Sequence, residues 1–208
     1  MAGTFAGDSW ISATGYYAGH FVRDWIGITA PERLCFLRYG EFHRMVDGSA
    51  VESFIFLDIP ELMLSCRQWP IATGPGHSRG YAGLIPGPAS CDGIMSSGGD
   101  PAEAVKSCQI VTDMLAGLAT ADESWRPYWH PDMVWYGPGA FGSFAGIDQF
   151  AGFQVPFESQ FEGWSGGSSG NGHTQHFARF GDAAYACSGG WPSVTGVNIK
   201  QFLEQPVS

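Results

Sequence analysis

RLCFLRYGEFHRMVDGSAVESFIFLD, residues 33–58, consists of two apolar-rich runs separated by Asp47-Gly48. Asp-Gly between such runs predicts a type I′ hairpin turn, because both central positions need positive φ. The strands are expected at 33–46 and 50–58. If Asp47 and Gly48 form the whole loop, Val46 faces Ser49, His43 faces Glu52 and Glu41 faces Phe54. Period-two alternation then puts Tyr39, Glu41, His43, Glu52, Phe54, Phe56 and Asp58 on one face. Phe36, Arg38, Phe42, Arg44, Val51, Ser53, Ile55 and Leu57 fall on the other. Neither face is cleanly apolar, so part of one is expected to line a cavity or an interface.

On either side of the hairpin the pattern is mixed. Residues 9–17 predict a strand. Pro60 at a first helical position, followed by Glu61-Leu62-Met63-Leu64, predicts a short helix to about Gln68. The Gly/Pro-rich stretch 72–100 reads as a linker, too long for an ordinary connection in a compact domain. Asp100-Pro101-Ala102-Glu103 has the form of a helix start, with Asp as N-cap. That helix should run to about Thr120, since Val105, Cys108, Val111, Met114, Leu115 and Leu118 recur at spacings of three and four. A short helix or turn is expected at 125–129, a strand at 133–136 and a loop at 137–142. A helix interrupted at Pro156 is expected over 147–161, and a loop over 163–172. Strands at 173–180 and 183–189 are expected to join at Gly181-Asp182. The segment from Gly7 to Tyr17 is weakly echoed by that from Gly181 to Trp191, with three identities at constant offset (Gly7/Gly181, Asp8/Asp182, Gly15/Gly189).

The bulk composition narrows the function classes. The chain has 208 residues, a 44% hydrophobic fraction, 8 Trp and 15 Phe, enough apolar material for a core. Its net charge of −10 argues against nucleic acid or an anionic membrane as the main partner. No apolar run reaches the ~20 residues of a membrane span, and the first ten residues do not resemble a signal peptide, so the cytoplasm is the expected compartment. The 5 cysteines (Cys35, Cys66, Cys91, Cys108, Cys187) are scattered and never at C-x-x-C spacing. They read as reduced, partly buried thiols, and no metal site is expected.

Tyr128-Trp129-His130-Pro131-Asp132-Met133-Val134-Trp135-Tyr136-Gly137-Pro138, with Gly146-Ile147-Asp148 beyond it, resembles the front half of SnoaL-like polyketide cyclases of the NTF2-like superfamily. Arg38-Tyr39-Gly40-Glu41-Phe42-His43-Arg44, with Asp47-Gly48, Val51-Glu52-Ser53 and Asp58, resembles the family's back half. Family members run front half first; here the order is inverted. The resemblance implies an α+β fold, an NTF2-like cone in which a curved antiparallel sheet wraps around helices. It divides the chain into a back half at 1–71, a linker at 72–100 and a front half at 101–208. A circular permutant and a remnant of a tandem pair both fit this order, and the cone closes within one chain or by exchange between two. The family usually pairs through the outer sheet face, so a homodimer is expected.

On the expected hairpin face Glu41, His43 and Glu52 lie within reach of one another and suit general acid–base catalysis. SnoaL-type cyclases use a carboxylate to enolise a polyketide ester and close a ring by aldol addition, without a cofactor. The resemblance makes Glu41 the candidate acid/base, where the family commonly has Asp. A structural ion pair is the alternative. Tyr17, Tyr39, Trp135, Tyr136, Phe153, Phe157, His176 and Trp191 are candidates to line a pocket for a flat ligand; core packing is the alternative for most. His130 and Asp132 fit a structural turn. His173 and His176, three apart on a strand, face opposite sides and so share no metal.

Gly166-Gly167-Ser168-Ser169-Gly170 matches G-x-S-x-G, but Gly/Ser-rich flanks are not the strand and helix of a nucleophile elbow. Gly7-Asp8-Ser9 resembles a GDS lipase opening without a buried strand before it. The expectation is therefore a cofactor-independent enzyme acting next to the carbonyl of a small hydrophobic compound. The superfamily's epoxide hydrolases use an Asp-Arg-Asp arrangement that is not evident from the sequence. The rival from another class is a non-catalytic ligand-binding or dimerisation module.

Overall fold

A computed structural model describes residues 1–69, 99–120, 123–139, 141–166, 176–191 and 193–199. It is an α+β protein. The expected linker lies almost wholly outside these residues, as do Cys91, His173 and most of the G-x-S-x-G match.

The first part is a four-stranded antiparallel meander in the order β1 (Ala2–Phe5), β2 (Asp8–Phe21), β3 (Arg33–Val46) and β4 (Ser49–Leu57). Asp47 and Gly48 both take positive φ, 48° and 77°, and close the expected two-residue turn. The register beyond it differs from the expected one. Met45 pairs with Ala50 but Arg44 pairs with Glu52, so Val51 is an extra residue, a β-bulge. One inserted residue turns every later side chain of β4 over. His43 therefore faces Ser53, not Glu52, and Glu41 faces Ile55, not Phe54. The slip has a packing reason: it puts Phe54 beside Phe42, on the face where Trp10 and Ser12 are buried.

Helix α1 (Ile59–Ser65) follows at once, shorter than expected because the chain turns at Cys66 and Arg67, the latter at φ 57°. Asp58 is its N-cap and accepts the Glu61 N–H. The helix packs on β3, where Cys35, Leu62, Cys66 and Ile28 form a small core.

The second part begins with α2 (Pro101–Thr120), whose N-cap is the expected Asp100, accepting the Ala102 N–H at 2.9 Å. A 3₁₀ turn (Arg126–Tyr128), β5 (Val134–Tyr136), β6 (Ser143–Ala145) and α3 (Ile147–Glu158) come next. Pro156 lies inside α3, two residues before its end, and the helix runs through it although the proline offers no N–H to the Gly152 carbonyl. Trp125 is completely buried here among Met133, Phe144, Phe150 and Phe153. β7 (Phe161–Gly166), expected as loop, pairs with β10 (Val194–Asn198). β8 (His176–Asp182) pairs with β9 (Tyr185–Gly190). Their turn is Ala183-Ala184, with Asp182 opposite Tyr185, not Gly181-Asp182. In the first copy of the echo the turn is Ala6-Gly7, with Phe5 opposite Asp8. The two turns are out of step by three residues, so the echo is not a structural repeat.

The described strands form one four-stranded and three two-stranded sheets. The two parts share a core at Phe177 of β8. Its ring lies on Phe54 with centroids 3.8 Å apart and planes 6° apart, edge-on to Phe42 and near Phe56 and Trp10. Asp182 also accepts the Ala2 N–H at 3.0 Å, tying β8 to the first strand.

Candidate functional site

Two cavities border β4. The larger, about 650 Å³, runs along Ser53–Leu57 and is closed on the other side by His176, Phe177 and Trp191. The smaller, about 460 Å³, lies where Arg38, Tyr39, Phe56 and Asp58 meet Tyr136 and Pro138.

The expected pocket residues therefore divide. His176 and Trp191 border the larger groove, Tyr39 and Tyr136 the smaller cavity. Tyr17 stacks on Tyr39 at 4.6 Å but is 54% exposed and outside both. Trp135, Phe153 and Phe157 belong to the core around α3, where packing accounts for them. Phe177, part of the groove's aromatic wall, was hidden in the sequence because nothing local marks one Phe among 15 as central.

The expected catalytic trio is not assembled. The bulge sends Glu52 to the face of Arg44, which donates to it at 3.0 Å. Glu41 and His43 stay together on the opposite face, with Oε2 and Nε2 3.5 Å apart and side chains each 23% exposed. Neither borders either of these two cavities. His43 Nδ1 instead lies 2.8 Å from Ser53 Oγ. His130 and Asp132 form an exposed turn, in which His130 Nδ1 accepts the Asp132 N–H.

In the groove, Arg179 Nε–H donates to Ser188 Oγ (3.2 Å), which lies 2.9 Å from His176 Nδ1. With the Ser188 hydroxyl donating to Nδ1, the ring proton is on Nε2. Nε2 is buried and has no hydrogen-bond partner among the described residues. Burial, then the charge of Arg179, pushes the imidazole below its usual pKa of 6.5, so the ring is neutral at pH 7.

Beside the smaller cavity, Asp58 Oδ2 accepts from Arg38 Nη2 (2.8 Å) and Nε (3.3 Å) and from the Gly139 N–H (2.8 Å). Arg38 also donates to the carbonyls of Tyr136 and Gly137. One ion pair thus clips β3 and α1 to the loop after β5. Three residues from Asp58, Glu61 is completely buried, with neither carboxyl oxygen hydrogen-bonded among the described residues. Burial, reinforced by Asp58 and opposed by Arg38, raises its pKa to about 7. The sequence offers a cue for this cluster in Asp58-Ile59-Pro60-Glu61, a cap followed by Pro and Glu.

The shift has a stability consequence of definite sign. Below pH 4.5 Glu61 is protonated folded and unfolded. Between 4.5 and about 7 the unfolded chain releases the proton while the folded one keeps it, so stability falls as pH rises. Above about 7 the loss is complete, on the order of 3 kcal/mol. Urea titrations at pH 5 and pH 8 should show this difference, and Glu61→Gln should shrink it. An unchanged difference in the variant would assign the pH dependence to other groups.

No group of three or more His, Cys, Asp or Glu side chains suited to a metal ion occurs among the described residues. No helix among them is long and apolar enough to cross a membrane. Comparison with protein-family models, curated proteins and solved structures found no match.

Proposed function

We propose that this chain, an NTF2-like cone with its halves in inverted order, takes a flat hydrophobic carbonyl compound into the groove beside β4 without a cofactor, and works as a homodimer in the cytoplasm. The observation that carries the ligand reading is His176. A neutral imidazole whose Nε2–H lacks an acceptor among the described residues lines a groove walled by Phe54, Phe56, Phe177 and Trp191. Aromatic walls suit a flat apolar body, and a single N–H donor suits one carbonyl oxygen. A buried donor without an acceptor is costly, so a carbonyl that supplies one gains more than an average hydrogen bond.

Donation to the carbonyl oxygen also acidifies the adjacent C–H, the first requirement of enolisation. Among the described residues bordering the groove, His176 is the one ionisable side chain, so its geometry favours binding over turnover. The acid–base reading draws on Glu61, whose pKa of about 7 suits proton transfer at neutral pH, three residues from Asp58 on the wall of the smaller cavity. If it is right, Glu61→Gln abolishes ketone isomerisation or cyclisation while ligand affinity stays. Equal rates in the variant would discard it.

Binding is tested with aromatic ketones, read by quenching of tryptophan emission with Trp191→Phe as the reference. His176→Ala should weaken binding about tenfold, the equivalent of one well-placed hydrogen bond. The alcohols corresponding to the ketones should bind the parent protein less well. Equal affinity in parent and His176→Ala would sink the site.

A further inference from the structure

The bulge that dismantles one constellation creates another. By putting Ser53 opposite His43, it aligns Glu41, His43 and Ser53 on one face of β3 and β4. Ser53 Oγ is 2.8 Å from His43 Nδ1, and Glu41 Oε2 is 3.5 Å from Nε2. With the proton on Nε2, His43 accepts from the Ser53 hydroxyl and turns its N–H toward Glu41, which stands at ion-pair rather than hydrogen-bond distance. That order is the relay of an acyl-transfer nucleophile, with the two ring nitrogens exchanged relative to the serine protease arrangement.

Ser53 is exposed and borders the 650 Å³ groove. The strand edge adds a donor. β4 is the last strand of its sheet, and the Asp58 N–H bonds the Arg38 carbonyl at 2.9 Å. Antiparallel alternation then turns the N–H groups of Phe56 and Phe54 toward β3 and directs those of Ser53, Ile55 and Leu57 off the open edge. The N–H of Ser53 itself is thus free of β3, as an oxyanion donor must be.

We propose that Ser53 is the nucleophile of an esterase-type site, with His43 as general base and acid and Glu41 as the group that orients and charge-balances His43. The inference rests on the reading of the groove as a small-molecule site and assigns it a substrate class, esters with a flat apolar body. Ser53 Oγ attacks the ester carbonyl carbon while its proton passes to His43 Nδ1. The ester C–O bond then breaks, the proton leaves with the alcohol, and the acyl group stays on Ser53. Water, deprotonated by the same nitrogen, attacks the acyl-Ser53 carbonyl; the bond to Ser53 Oγ breaks, Oγ takes the proton back from His43, and the acid is released. The net reaction is ester plus water to acid plus alcohol, with no oxidant or metal.

The test uses the full chain, p-nitrophenyl butyrate as substrate and an alkyl fluorophosphonate as label. One phosphonyl adduct is expected, mapping to Ser53, with loss of fluoride. Ser53→Ala should abolish labelling and lower hydrolysis about 100-fold or more, and His43→Ala should do the same. Ser107→Ala, whose hydroxyl bonds the Ala183 carbonyl, should leave both unchanged. Near-UV circular dichroism verifies each fold. In addition, Ser53→Cys should react with iodoacetamide faster than the same variant carrying His43→Ala, a readout that needs no turnover. An adduct elsewhere, hydrolysis unaffected by Ser53→Ala, or an iodoacetamide rate of the Ser53→Cys variant that is indifferent to His43 would overturn the proposal. Ketone binding retained without hydrolysis or labelling discards the nucleophile alone. Labelling of Ser53 without ketone binding discards the groove's carbonyl ligand alone.

Discussion

Arg38→Ala should lower the unfolding free energy by about 3–5 kcal/mol, the usual loss when one partner of a buried ion pair is removed. Arg38 and Asp58 have side chains only 15% and 10% exposed. Without the guanidinium, Asp58 keeps two backbone donors, the N–H groups of Glu61 and Gly139, but no countercharge. It also stands beside Glu61, whose pKa Arg38 holds down. Removing Arg38 therefore leaves two carboxyl groups in one poorly solvated place, and the Glu61 pKa rises further. The carbonyls of Tyr136 and Gly137 lose their donor at the same time. The urea midpoint should fall with little change in slope, and the melting temperature by on the order of 10 °C for a chain of this size. Arg38→Lys should recover only part of the loss, since one ammonium cannot serve Asp58 and two carbonyls in the planar arrangement of a guanidinium. A loss under about 1 kcal/mol would mean that the clip does not hold the two parts together.

Phe177→Ala should be as damaging, about 3–5 kcal/mol, with a second consequence at the groove. The ring fills the space between Phe54, Phe42, Phe56 and Trp10, so its removal opens a cavity in the core shared by the two parts. The same truncation removes a wall of the ligand groove, and ketone binding should fall with stability. Phe177→Leu separates volume from stacking. It keeps most of the packing and should cost less than about 1.5 kcal/mol, while the flat surface offered to a ligand is lost. If Phe177→Ala melts like the parent, the shared core is not where the two parts cohere.

Local chemistry was legible wherever a residue's own backbone preference decides the outcome. Asp47-Gly48 makes the hairpin turn because few other pairs accept positive φ twice in succession. Asp100 caps the helix that follows it because a short carboxylate reaches a first free N–H group, whereas Pro60, expected at the first helical position, is second after Ile59, with Asp58 as the cap. The α+β class, which the family resemblance implied, holds for the described residues. The candidate site was only partly legible. His176 and Trp191 do border the groove and Tyr39 and Tyr136 the smaller cavity, but Trp135, Phe153 and Phe157 serve a core. An aromatic residue near a turn has no local mark to distinguish wall from filling.

By itself the sequence determined the Asp47-Gly48 turn, the helix start at Asp100-Pro101, the strand-rich first part, the acidic charge and which side chains were available for chemistry. These are properties of a residue and its near neighbours. Tertiary structure decided which side chains meet. The Val51 bulge is tolerated because it buries Phe54 with Phe42 and Trp10, and that long-range packing outweighs the undisturbed ladder that Asp47-Gly48 alone would set. One inserted residue moved Glu52 to Arg44 and Ser53 to His43. Likewise, Arg38, Asp58 and Glu61 become a buried cluster only when the loop at Tyr136–Gly139, about a hundred residues away, closes over them. Side-chain alternation is a local rule, but its phase is set by the packing energy of the whole sheet.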